Sequence, residues 1–402
     1  MSRPARIEID VAALRHNHRL LRRVHGGRVL AVLKADAYGH GAERCANALA
    51  VEADGFAVAF GDEAAALRAA GVRAALLVLE GVFGAKELDT AAREHWWIVV
   101  HHEDPLLMIE RCRTTQPLHV WLKVDTGMHR CGFEPAAVRG AYQRLHASGK
   151  VACITLMTHF ARADEVEQDF TAQQIARFDD ATAGLPGLRS LANSAGVLCW
   201  PAARRDWARC GIALYGADPR GGNPFSAALR PVMKARSEII AVRDVSTGEA
   251  ICYRARFVAD RATRVGLVAF GYADGSRAAD NGTPVAVDKQ RAPLIGRVSM
   301  DMLTVDLTGL PNAGIGSEVE LWGPRIPVGD VAASAGTIAY ELLCNAKRAP
   351  RVTKSRLLEG SRGRTTSWRE VVGEGLAFVF VQPRRCSATL RSGRPQKRKL
   401  PN

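Results

Sequence analysis

The chain has 402 residues, enough for two or three domains, and its 47% hydrophobic and 24% charged composition is that of a globular protein. That balance excludes a disordered chain, a collagen-like repeat and a small disulfide-stapled scaffold. The outlying number is the charge: 55 Lys+Arg against 41 Asp+Glu leave a formal +14, which alone would suggest a polyanionic partner such as nucleic acid.

Short apolar runs at 29–33, 55–59, 75–79, 97–100, 119–124, 154–157, 188–191 and 210–214 read as strands. They alternate with helical stretches such as 62–68, an acidic start followed by good helix formers and closed by Gly71. Eight strand–helix units predict parallel strands with crossover helices: an α/β fold closed as a (β/α)8 TIM barrel, with a doubly wound open sheet as the competing arrangement. After Gly216, the segment 218–224 is a turn-rich linker. Strand-like pieces at 237–242, 264–269, 284–287, 302–307 and 318–321 then follow without intervening helices, which spells a mostly β C-terminal domain, and 337–343 is a last helical piece. The expected domains are therefore a barrel over 1–225, a β-rich domain over 226–353 and a basic, loosely ordered extension over 354–402. That extension holds twelve Lys/Arg and three Asp/Glu, nine of the fourteen net charges, and only 375–381 is apolar enough to pack. The charge is thus a property of the extension and no longer points to nucleic acid.

Nine cysteines stand singly with no CxxC pair, so they read as buried thiols in a reducing compartment. The first residues lack a signal-peptide core and no run of 18 apolar residues occurs. A cytoplasmic protein without membrane contact is expected. The eleven histidines all lie at or before 159 and offer no convergent metal triad. The Trp96–Trp97 pair reads as core packing.

The sharpest local feature is 29–41, VLAVLKADAYGHG, an apolar strand that ends on Lys34 and runs at once into a Gly-punctuated turn. In a parallel barrel the C-terminal strand ends build the active site, so Lys34 would stand at its mouth. Partial burial there lowers an amine's pKa and suits it as nucleophile, base or Schiff-base partner; a solvated lysine capping a strand is the plainer reading. Other strand ends repeat the pattern: KVDTGMHR at 123–130, THF at 158–160, NSAG at 193–196 and RCGI at 209–212. The last two offer the Ser194 hydroxyl and N–H groups around Gly211 and Ile212, a setting for an anionic cofactor phosphate.

Taken together, AVLKADAYGHG at 31–41, MTHF at 157–160, NSA at 193–195, ARCGIALYG at 208–216, GYADG at 271–275, GRVSMDM at 296–302 and GTIAYEL at 336–342 closely resemble the pyridoxal-phosphate-dependent alanine racemases of fold type III. The match runs in order from about residue 7 to 351. The resemblance implies a (β/α)8 barrel carrying pyridoxal 5'-phosphate, a β domain behind it, and a head-to-tail homodimer with shared active sites. Lys34 would hold the cofactor as a Schiff base, while Tyr38, Ser194, Gly211, Ile212 and Tyr340 would bind its phosphate. His159 would lie by the pyridine ring, Arg209 would face the ring nitrogen, and Arg130 would contact the phenolic oxygen and the substrate carboxylate. Lys123 matches a lysine that in some relatives carries a carbamate orienting that arginine.

Racemisation removes a proton from one face of Cα and returns one to the other, so it calls for two groups on opposite sides. Lys34 serves one face; similarity puts Tyr253 of the partner subunit on the other, with Tyr272, Met300 and Asp301 also from the partner. A phenol, ordinarily of pKa near ~10, needs nearby positive charge to act as a base. Relatives carry Ser-Tyr-Gly where this chain has Cys252-Tyr253-Arg254, a departure that leaves Tyr272 as the alternative base. The family's chains end near the residue matching Arg351, so 354–402 have no counterpart. The expected activity is interconversion of L- and D-alanine, supplying D-alanine for peptidoglycan or catabolising it. Racemisation of other small amino acids, such as serine, is the alternative within the enzyme class. A non-catalytic pyridoxal-phosphate carrier is the alternative outside it; such carriers lack the β domain.

Overall fold

The computed structural model describes residues 3–114, 116–220, 225–276 and 281–354. The 354–402 extension beyond its first residue, with its apolar piece 375–381, and most of the second half of the 218–224 linker lie outside the described residues.

The chain opens on β1 (Arg6–Ile9) and α1 (Val11–His25). The Asp10 carboxylate starts the helix by accepting the N–H groups of Ala12 and Ala13 at 3.0 and 2.9 Å. Eight parallel strands follow: β2 (Arg28–Val32), β3 (Gly55–Val58), β4 (Leu76–Val78), β5 (Trp96–Val100), β6 (Leu118–Lys123), β7 (Val151–Met157), β8 (Leu188–Ser190) and β9 (Trp207–Cys210). Each pairs with the next from β2 to β8, and β9 returns to β2, Leu30 opposite Arg209. The Arg209 N–H donates to the Ala192 carbonyl at 3.0 Å and brings β9 against the end of β8, so the eight strands form a barrel. Seven of the expected strands fall where their apolar runs lie. The eighth does not: the strand is Trp207–Cys210, and the expected 210–214 is instead mostly a buried 3-10 turn, Ile212–Tyr215. An apolar run marks burial, and here burial belongs to the turn that lines the barrel mouth. Trp97, Trp121 and Trp207, from strands that are not all neighbours, meet with ring centroids 5.5–6.0 Å apart and fill the lower barrel.

The second sheet consists of β10 (Met233–Val245), β13 (Thr263–Val268), β14 (Pro284–Val287), β15 (Gln290–Ile295), β16 (Leu303–Asp306) and β17 (Glu318–Trp322), beside the short hairpin β11 (Ala250–Ile251) and β12 (Phe257–Val258). All six pair antiparallel in the order β13-β16-β15-β14-β17-β10. An irregularity between Ile239 and Ala241 lets β10 leave β17 and pair with β13, which closes the sheet on itself. The outer edge of β10 takes β1, antiparallel, and β1 in turn takes β18 (Arg351–Thr353), parallel. The first strand of the chain therefore belongs to the C-terminal sheet. Helices Val328–Ser334 and Ala339–Asn345 precede β18. One continuous hydrophobic core runs through both lobes. No helix among the described residues is long and apolar enough to cross a membrane.

Candidate active site

Lys34 stands just past β2 at the C-terminal mouth of the barrel, half-buried. Burial pushes its ammonium pKa down, and the nearby Arg130 charge adds to this against the opposing pull of Glu80 and Glu63. The next four residues, Ala35, Asp36, Ala37 and Tyr38, all have φ between 53 and 55°, a single left-handed turn built without glycine. Such backbone costs roughly 1–2 kcal/mol per residue and persists only where its surroundings hold it. Here the Leu33 carbonyl accepts the Ala37 N–H at 2.7 Å, and the Ala35 carbonyl accepts the Gly39 N–H at 3.0 Å. The Glu63 carboxylate accepts the N–H groups of Ala35 (2.6 Å) and Ala59 (2.8 Å). The Asp36 carboxylate accepts the Ala42 N–H at 2.8 Å and the Arg351 guanidinium at 3.1 Å. Gly39 (φ 78°) is required by packing as well as by backbone: a Cβ there would stand 2.2 Å from the Leu343 carbonyl oxygen. His40, fully buried, directs Nδ1 at the carbonyls of Ala37 and Tyr38 (2.8 and 2.9 Å) and stacks on Tyr215 at 4.3 Å. Burial holds that imidazole neutral, its pKa pushed down to about 4.

The turn delivers the Tyr38 phenol to the loop after β9. A Cβ on Gly211 would lie 2.3 Å from the Tyr38 oxygen, so only glycine admits the phenol. The ring is wedged between Tyr215 and Tyr340, with centroids 4.9 and 5.8 Å away. Burial drives the Tyr38 pKa far up, which keeps its hydroxyl a donor. The Ser194 hydroxyl accepts the N–H groups of Gly211 (3.1 Å) and Ala213 (3.3 Å) at the same place, with Ile212 buried between them. A phenol and a hydroxyl, the latter anchored by two backbone N–H groups so that its own proton is free to donate, thus converge at one end of the mouth, a setting that suits a phosphate.

Across the mouth lies Arg209, a buried guanidinium with no carboxylate partner among the described residues. It donates to the carbonyls of Ser190 (2.9 Å), Thr158 (2.6 Å) and Leu191 (3.3 Å) and to the Ser190 hydroxyl. Burial lowers its pKa to about 10, so it remains cationic at neutral pH. The fifth contact is the one that faces the mouth: its Nη2 lies 3.4 Å from Nδ1 of His159. Burial, and then Arg209 and Lys123, hold His159 neutral.

Lys123 is buried at the end of β6, and its one hydrogen-bond partner among the described residues is the Cys131 sulfur, 2.8 Å from Nζ. Arg130, next to that cysteine, is exposed. The remaining expected residues sit on the β lobe. Tyr253 is 67% exposed, in a turn where Cys252, Arg254 and Ala255 all have positive φ (65, 63 and 49°). Arg254, where the resemblance expects glycine, occupies the left-handed conformation that glycine adopts most freely. Tyr272 and Met300, both about half-exposed, are tied by the Tyr272 N–H to the Ser299 carbonyl (3.0 Å) and the Ala273 N–H to the Met300 carbonyl (3.1 Å). Asp301 pairs with Arg348. Lys34, Tyr38, His159, Ser194, Arg209, Gly211, Ile212 and Tyr340 are thus brought to one barrel mouth. Among the described residues no hydrogen bond or ion pair joins Tyr253, Tyr272, Met300 or Asp301 to Lys34 or Arg209.

Sequence reasoning missed Glu63, Asp36, Arg351 and Cys131. Glu63 carried a readable signal, an acidic residue in the first turn of the helix that follows β3, whose C-terminal end shares the mouth with Lys34. Cys131 carried none.

Residues 9–219 match the family described as alanine racemase, N-terminal domain, and residues 232–353 match alanine racemase, C-terminal domain. An alanine racemase of Azoarcus sp. (strain BH72) is 62% identical over 347 residues, which cover 86% of this chain and 98% of that one. The crystal structure of a biosynthetic alanine racemase from Pseudomonas aeruginosa superimposes with a TM-score of 0.85 at 44% identity, covering 88% of this chain and all of that one. An alanine racemase from Bartonella henselae, solved with covalently bound pyridoxal phosphate, superimposes with a TM-score of 0.79 at 29% identity, covering 88% of this chain and all of that one. The chain belongs to the alanine racemase family, a racemase acting on alanine.

Proposed function

We propose that Lys34 binds pyridoxal phosphate and that two such chains pair head to tail to complete each other's sites. The observation that carries this reading is the barrel mouth itself: an amine with a depressed pKa faces, on one side, a cluster of hydroxyls and backbone N–H groups and, on the other, a buried arginine without a carboxylate partner. The residues present fit the cofactor: the Tyr38 phenol, packed directly on Gly211, and the Ser194 hydroxyl meet at one end of the mouth, and burial keeps the phenol protonated as a donor. Tyr38, Ser194, Gly211, Ile212 and Tyr340 would hold the phosphate, and His159 would lie along the ring. Once bound, pyridoxal phosphate supplies the electron sink that acidifies the alanine Cα–H.

Arg209 keeps its own proton, so the acceptor it faces stays unprotonated, which restrains the sink and suppresses side reactions. Arg130 would orient the substrate carboxylate, with Met300 of the partner subunit beside it and Lys123 supporting Arg130 from below. The Lys34 amine, its pKa lowered by burial, would take or return the proton on one face of Cα. Tyr253 of the partner subunit would do the same on the other face. Tyr272 and Asp301 of the partner subunit would line the approach.

The test is subunit complementation. Lys34→Ala loses both the cofactor absorbance band and racemisation, and Tyr253→Phe keeps the band and loses most turnover. Mixing the two inactive proteins restores activity, because each heterodimer contains one intact site. No restored activity in a mixture shown to exchange subunits would reject Tyr253 as the partner's base.

A further inference from the structure

The end of the barrel opposite Lys34 holds an open cavity of about 750 Å³ lined by Arg19, Arg22, Arg23, Arg28 and Arg205, with Asp206 as its one acidic side chain. The last turns of α1, the first residue of β2 and the residue two before β9 put these arginines together. Three of them are already paired: Arg19 with Glu52 at 2.8 Å, Arg22 with Asp54 at 3.3 Å and Arg205 with Asp179 at 2.9 Å. Arg23 and Arg28 have no carboxylate partner among the described residues; Arg28 instead lies over the Trp207 ring, 4.4 Å from its centre. The Asp206 carboxylate is occupied by the Arg189 N–H at 2.7 Å.

A second observation points into the same cavity. Arg205 Nε, on the cavity wall, is buried without a hydrogen-bond partner. Buried polar atoms are rarely left so unless a ligand or water completes them. Every cation here is arginine, whose planar fork matches the oxygens of a phosphate two at a time, where lysine would offer a point charge. The volume falls in the range of small-molecule sites and exceeds what a single phosphate fills.

We infer that this cavity binds an anion carrying at least two linked phosphates, gripped by the free guanidinium groups of Arg23 and Arg28 beside the unpartnered Arg205 Nε–H. The site is remote from Lys34 and independent of the residue roles assigned there. Inorganic pyrophosphate titrated into the cofactor-loaded enzyme by calorimetry tests it, since the cofactor already fills the phosphate cradle at the mouth. Saturable binding at one site per subunit is expected, weakening as salt is raised. Arg23→Ala and Arg28→Lys should each weaken it about tenfold, the worth of one charge-assisted hydrogen bond, with racemase activity unchanged. Absence of saturable binding, or an affinity untouched in the Arg23→Ala/Arg28→Lys double variant, would overturn the assignment.

Discussion

Gly211→Ala tests the phosphate cradle by adding one methyl group. That carbon would stand 2.3 Å from the Tyr38 oxygen and 2.9 Å from the ring carbon that bears it, so the ring must retreat by about 1 Å to reach an ordinary contact. It has little room to do so, because Tyr215 and Tyr340 pack against it at 4.9 and 5.8 Å. Overpacking of this kind costs about 1–3 kcal/mol, equivalent to roughly 5- to 150-fold in an equilibrium constant. The cost divides between folding and cofactor affinity according to how far Tyr38 moves before the cofactor binds. Both are therefore measured, by thermal unfolding of the apoprotein and by absorbance titration with pyridoxal phosphate. Tyr38→Phe removes the closer of the two clashing atoms, so in the double variant Gly211→Ala should cost less than it does alone. If Gly211→Ala leaves both affinity and Tm at wild-type values, or if the two substitutions simply add, the phenol does not pack on Gly211 as described.

Glu63→Ala removes the two oxygens that accept the Ala35 and Ala59 N–H groups and should lower stability by about 1–3 kcal/mol and kcat with it; Glu63→Gln, which keeps one of the two acceptors and sets an NH2 against the other N–H, should recover only part of the Tm in calorimetry. His40 titrates at about 4 in the folded protein against about 6.5 when unfolded, so the unfolded chain takes the proton first as pH falls. Its contribution is complete above pH 6.5 and is lost between 6.5 and 4, up to about 3 kcal/mol, and burial pushes His18, His25 and His159 in the same direction. Urea unfolding at pH 7.5, 5.5 and 4.5 should show this decline, and a stability independent of pH over that range would contradict it. Cys131→Ala should leave the buried Lys123 ammonium without its sulfur partner and cost about 1–3 kcal/mol; Lys123→Met in that background should restore stability in the same urea titrations.

The barrel was legible because parallel strands buried on both faces must be nearly continuous apolar runs, and seven of the eight lie where those runs do. The second lobe was legible only in part. β15, Gln-Arg-Ala-Pro-Leu-Ile, opens on two exposed polar residues and carries a proline, so its strand character comes from its partners β14 and β16. β1 has four residues, and nothing local says that its partner begins 224 residues after its end at Ile9. At the site, Lys34 and Ser194 were readable because they sit where apolar runs stop. The left-handed turn at Ala35–Tyr38 was not, since alanine carries no mark of positive φ; the turn is held by Glu63 and Arg351 from two other parts of the chain, the latter through the turn's own Asp36.

The seating of β1 between β10 and β18 also fixes an order of events during synthesis. When the barrel strands have left the ribosome, β1 still presents two unpaired edges: one waits for Met233–Arg236, the other for Arg351–Thr353. An open strand edge is a template for pairing with another chain, so a nascent racemase halted before residue 233 is the species most exposed to aggregation. Completion at β18 draws the start and finish of the fold together, with the Lys354 N–H on the Ile9 carbonyl at 2.9 Å and Arg351 on Asp36, two residues past Lys34. The strained turn after Lys34 therefore acquires its last restraint only when the final strand arrives, and a truncated chain does not hold that turn in its working shape.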